Sequence, residues 1–132
     1  VTRWTCPQCD REFGRTRQSH VCVPGCTVEE TFAPYPPVYR EIYDRLVEDL
    51  GPIHEDAVRV GVFLKSGRTF AEIRPKARSL TLALVLSRRV EHPLIARALP
   101  APGGSVWHFF KLTRVADVDE RIIDFMAEAH DG

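Results

Sequence analysis

The sequence predicts an α+β protein, in which an N-terminal zinc finger over residues 1–26 precedes a single domain over residues 27–132. That domain is expected to hold a four-stranded, mainly antiparallel sheet packed with helices, in the order α-α-β-β-β-β-α. Three observations point there. Four cysteines and a histidine crowd into residues 6–26, apolar residues recur at helical spacing near both ends of the remainder, and a strict period-2 alternation runs through the middle.

After the first segment, Thr27-Val28-Glu29-Glu30 has the form of a capping box, so a short helix should start there. Pro34, Pro36 and Pro37 stiffen the chain into a bend. Val38, Ile42, Leu46, Val47 and Leu50 then mark a helix over residues 37–50, which Gly51-Pro52 stops. The period changes to 2 at residues 58–65, with Val58, Val60, Val62 and Leu64 on one face and Arg59, Gly61, Phe63 and Lys65 on the other. Ser66-Gly67-Arg68 turns into a second strand over residues 69–74. A further turn leads to Leu80, Leu82, Leu84 and Leu86, so three strands form a meander. Residues 87–104 read as a long loop rich in Pro, His and Arg, with a helical turn at residues 94–99. Residues 105–112 read as the fourth strand and residues 116–130 as a closing helix. Helices on one face of such a sheet would leave Arg59, Lys65, Glu72, Arg74 and Thr81 on the other.

Cys6 and Cys9 are separated by two residues, and His20 and Cys22 follow at finger spacing. Three thiolates and an imidazole suit Zn²⁺, whose d¹⁰ shell imposes no geometry, and four protein ligands leave no open position for water or substrate. Such an ion is structural. About 26 residues cannot bury enough apolar surface to fold alone, so the metal would supply roughly 10 to 16 kcal/mol of folding free energy. Cys26 is the alternative fourth ligand. Two disulfides are the competing arrangement, but all four cysteines lie within residues 6–26, which leaves the remaining 106 residues unstapled.

The formal net charge is zero, yet charge sorts by segment. Residues 65–97 carry eight basic and two acidic side chains, whereas residues 27–56 carry eight acidic and two basic ones. The basic stretch suggests a surface for nucleic acid, an anionic protein or a small anion, with Lys65, Arg68, Arg74, Arg88, Arg89, His92, Arg97 and His108 as the candidate contacts. Trp107 and Phe109 read as core residues rather than stacking platforms. An enzyme built on Arg89, His92 and His108 is the minority reading, because hydrogen-bonded structural histidines explain the same pattern and no catalytic residue is assigned. Neither a membrane-length apolar run nor an initial hydrophobic stretch is present, and a reduced cytoplasm is the expected compartment.

The run Trp4-Thr5-Cys6-Pro7-Gln8-Cys9, then Phe13, then Gln18-Ser19-His20-Val21-Cys22, followed by Thr27-Val28-Glu29-Glu30 and Phe32, resembles a family of small bacterial proteins. These join a CCHC-type zinc finger to a domain of unknown function. The resemblance continues through Tyr43-Asp44-Arg45-Leu46, the stretch from Leu86 to Pro93, His108 with Phe110-Lys111-Leu112, and Asp117-Val118-Asp119. It implies Cys6, Cys9, His20 and Cys22 as the ligand set, with Cys26 outside it, and it implies no activity.

Overall fold

A computed structural model describes residues 3–17 and 22–132. Its main sheet has six strands, not four: β3 (His54–Val58), β4 (Gly61–Lys65), β5 (Thr69–Pro75), β6 (Leu80–Leu86), β7 (Ile95–Pro100) and β8 (Val106–Leu112). They follow the spatial order β3-β4-β5-β6-β8-β7, and every neighbouring pair is antiparallel. Before them stand a two-stranded pair, β1 (Trp4–Thr5) and β2 (Glu12–Phe13), and the helices α1 (Val28–Phe32) and α2 (Pro37–Val47). The helix α3 (Glu120–Asp131) closes the chain.

Two of the extra strands correct the sequence reading. The alternation expected to make one strand over residues 58–65 runs straight through a two-residue turn, Arg59-Val60, so Val58 pairs with Gly61 and Val60 is exposed. Nothing in Arg-Val announces a turn. Gly61 is the residue that fits: a Cβ there would stand 2.6 Å from the Ile73 carbonyl oxygen of the adjoining strand. The second correction falls in the expected 87–104 loop, where residues 95–100 form β7 rather than a helical turn. This strand has its register shifted around Ala96 and ends at Pro100, features tolerated at a sheet edge. The turn into β8 uses Gly103 and Gly104 at positive φ.

The Thr27 capping box forms as expected: Thr27 Oγ1 accepts from the Glu30 amide at 3.1 Å, and the Thr27 amide donates to Glu30 Oε1 at 3.0 Å. All three helices cover one sheet face. There Ile42 and Leu46 of α2 and Ile122 and Met126 of α3 meet Leu80, Leu82, Leu84, Phe110 and Leu112, all essentially inaccessible. Each such side chain contributes about 1.5–3 kcal/mol relative to exposure. Because β8 fills the place between β6 and β7, residues 87–94 cross the helix-packed face to reach the outer edge. Val90 anchors this crossing in the core.

The N-terminal segment docks on the opposite face, at the β3–β4 end. Phe13 and the Arg11 guanidinium lie beside Phe63 and Lys65, with Arg11 5.6 Å from the Phe63 ring centroid and Lys65 Nζ 4.5 Å from that of Phe13. Asp56 joins the two parts: its carboxylate accepts from Arg11 Nε at 3.2 Å and from Lys65 Nζ at 2.8 Å. Lys65 Nζ also donates to the Glu12 carbonyl at 3.1 Å. These side chains are nearly inaccessible, at 8% for Arg11, 5% for Asp56 and 11% for Lys65. Burial alone would raise the Asp56 pKa, but hydrogen bonds from the two cations hold it below its ordinary value. Replacing Asp56 by alanine removes the carboxylate that both buried cations share, and urea denaturation should show a loss of about 3–5 kcal/mol. Asp44→Ala, which breaks the exposed Asp44–Arg40 pair, should cost less than about 1 kcal/mol.

Candidate metal centre and basic groove

The loop between β1 and β2 is a tight turn in which the Asp10 amide donates to the Cys6 carbonyl at 2.8 Å and the Cys6 amide to the Arg11 carbonyl at 2.9 Å. This fold-back sets Cys6 and Cys9 side by side, both buried, over a small core with Phe13 and Trp4. Cys22 joins them. The sulfurs of Cys6, Cys9 and Cys22 all lie within 4.8 Å of one another, so the three can hold one metal ion. The Cys6 and Cys22 sulfurs are 3.8 Å apart, too far for a disulfide of about 2.05 Å. Desolvation, followed by the Cys6 and Cys9 sulfurs, pushes the Cys22 thiol up to about 11. A cation among the sulfurs reverses that penalty by favouring the thiolates.

His20, expected as the remaining ligand, lies outside the described residues. Cys26 stands apart from the sulfur cluster. Its Sγ is 3.4 Å from Thr31 Oγ1, it packs against the main core, and its amide donates to the Ala57 carbonyl at 2.9 Å.

The eight expected anion contacts do not gather in one place. Lys65 is buried in the Asp56 junction. Arg68 sits in the β4–β5 turn, and Arg89 is exposed, 4.0 Å from Glu91. Arg88, His92 and His108 instead bind the 87–94 crossing to its neighbours. Arg88 makes a two-pronged pair with Glu128 of α3 at 2.9 and 3.1 Å. His92 Nε2 lies 2.8 Å from Asp119 Oδ2 while its Nδ1 accepts from the Leu94 amide at 3.0 Å, so both ring nitrogens are engaged. His108 is fully buried, and its Nε2 accepts from the Val90 amide at 3.0 Å.

Arg74 and Arg97 do share a site. They line a groove of about 450 Å³ on the sheet face away from the helices, together with Lys76, Lys111, Glu72, Thr81 and Phe109. Arg97 packs on Phe109, 4.4 Å from the ring centroid, and Arg74 Nε contacts Glu72 Oε1 at 2.9 Å. Among the described residues Lys76, Arg97 and Lys111 have no ion-pair partner. Phe109 alternates with His108 and Phe110 and lies half-buried on the second face, outside the main core, whereas the half-buried Trp107 packs against that core as expected. Lys76 and Lys111 were legible only as charges, since the β5–β6 turn brings the first to this groove and strand register the second. A wider cleft of about 680 Å³ lies beside the N-terminal segment, but Asp10, Glu12 and Glu55 among its lining do not suit an anion.

The domain after the N-terminal segment matches the family model described as a domain of unknown function, DUF5655, over residues 28–132. The chain belongs to the DUF5655 family. The match spans α1 to α3 and the whole six-stranded sheet, and begins after the cysteine cluster. No curated protein and no solved structure matches this DUF5655 chain. Among the described residues, no helix is long and apolar enough to cross a membrane.

His108 makes the DUF5655 core sensitive to acid. Burial lowers its pKa below the ordinary 6.5, and an accepting Nε2 requires the neutral ring. The unfolded chain then binds the proton more readily, so this stabilisation is present above pH 6.5 and lost as pH falls. Thermal melts between about pH 7 and pH 5 should show a falling midpoint that is shallower in His108→Gln, whose amide does not titrate.

Proposed function

We propose that this chain is a non-catalytic binding module, with an N-terminal finger folded by one zinc ion and a basic sheet face that recognises nucleic acid. The observation that carries the second part is the groove. Four cations against one carboxylate meet on a face the helices leave uncovered. Phosphates attract such a surface through counterion release, and a groove beside the half-buried Phe109 ring favours single strands over a duplex.

The zinc assignment rests on the donor set. Thiolates are soft ligands that select zinc over magnesium or calcium, and sulfurs bound at about 2.3 Å in a tetrahedron stand about 3.8 Å apart. Cys6 and Cys22 have that separation. His20 would complete a closed set, and such a site holds the segment in shape rather than activating water. A catalytic role for Arg89, His92 and His108 finds less support. The nitrogens of His92 are both engaged, and those of His108 are buried.

Elemental analysis of the purified chain should find one zinc per molecule. Cys6→Ser, Cys9→Ser and Cys22→Ser should each lose it, while Cys26→Ser should keep it. For the groove, a labelled single-stranded oligonucleotide should bind at low salt, with log K falling against log[salt] at a slope of about −3 for four phosphate contacts. Lys111→Gln should flatten that slope by about 0.7. Absence of oligonucleotide binding at low salt would discard nucleic acid and leave an anionic protein or small anion as the partner.

A further inference from the structure

We infer that the groove over Thr81 takes one nucleotide unit, with the phosphate between Arg74 and Lys111 and the base against the Arg97 guanidinium. This rests on the anion-binding reading of the same face and adds the identity of what is bound.

The register supplies the geometry. Arg74 of β5, Thr81 of β6 and Lys111 of β8 stand directly opposite one another across three strands. Neighbouring strands are about 4.8 Å apart, so the two cations rise from positions about 10 Å apart with a short side chain between them. That hollow carries a hydroxyl at its floor and a positive charge on either side. A tetrahedral phosphate, with several unesterified oxygens, can be reached from all three directions, whereas a planar carboxylate engages fewer.

The adjoining row reads Glu72, Ala83, Phe109 and Arg97 across β5, β6, β8 and β7. Phe109 supports one side of the Arg97 guanidinium, and the exposed side chain leaves the other side to a planar partner. Nucleobases stack on guanidinium planes as they do on aromatic rings. Glu72 offers an acceptor for a base amino group on the β5 side of the groove. A bare phosphate would use only the first row, and an acidic peptide could pair with Arg97 but would meet like charge at Glu72. The volume of about 450 Å³ lies within the range of about 300–1,000 Å³ typical of small-ligand sites. The same chemistry is present in a free mononucleotide and in one link of a single strand.

Calorimetric titration of the full chain with 5′-AMP, adenosine, inorganic phosphate and a short oligodeoxyadenylate tests this. AMP should bind more tightly than either adenosine or phosphate. Thr81→Val keeps the strand and should weaken AMP by about tenfold, the loss of one hydrogen bond to a charged group. Arg97→Gln should remove the advantage of AMP over phosphate, while Arg45→Gln, on α2, should change neither. An oligonucleotide that binds more tightly than AMP and displaces it identifies the strand as the source. AMP that resists displacement identifies the free nucleotide. If the oligonucleotide binds but AMP is no better than phosphate, or Thr81→Val and Arg97→Gln leave AMP unaffected, the nucleotide site is overturned and the anion surface stands. If none of the phosphate-bearing probes binds at low salt, the nucleotide site and the nucleic-acid reading fall together.

Discussion

A single carboxylate, Asp56, determines how the two parts of this chain meet. It is buried on an edge strand and accepts from one cation of the N-terminal segment and one of the sheet. Buried ion pairs gain little net stability once desolvation is counted, but misplacing one is costly. The junction therefore sets orientation more than it sets affinity. Aromatic contacts from Phe13 and Phe63 surround the same charges and keep water away from them.

That arrangement divides the second sheet face into two regions. The β3–β4 end is covered by the N-terminal segment, and Lys65 is absorbed into the contact. From β5 to β7, Arg74, Lys76, Arg97 and Lys111 stay at the surface. The helix-packed face shows the converse: Arg88 and the histidines at 92 and 108 stabilise the crossing of residues 87–94 over β8. Positive charge in the sequence thus has two fates, one internal to the fold and one directed outward, and strand register decides between them.

The helices, the capping box and the alternation of β5 and β6 were legible because each is a local pattern with a local cause. The turn at Arg59-Val60 was not, since the alternating valines continue through it and the reason for the break is the approach of the Ile73 carbonyl to Gly61, a contact distant in sequence. β7 was hidden by its alanines, arginine and proline, whose fit to an edge position appears only when β8 is there to pair with it. For the candidate metal centre, cysteine spacing revealed Cys6, Cys9 and Cys22, while the separation of Cys26 depends on the Ala57 backbone and Thr31. The groove was half legible: Arg74 and Arg97 were named from charge, whereas Lys76 and Lys111 required the pairing of β5, β6 and β8.

The two outer strands also govern how this molecule behaves in a crowd of its own copies. β3 is partly occupied by the chain itself, through the Gly25–Val58 bridge and the Cys26 amide on Ala57. β7 offers an interrupted ladder, shifted at Ala96 and ended by a proline that has no amide hydrogen to give. Neither margin presents a long, flat template, so the sheet stops at six strands and resists growing into a fibre.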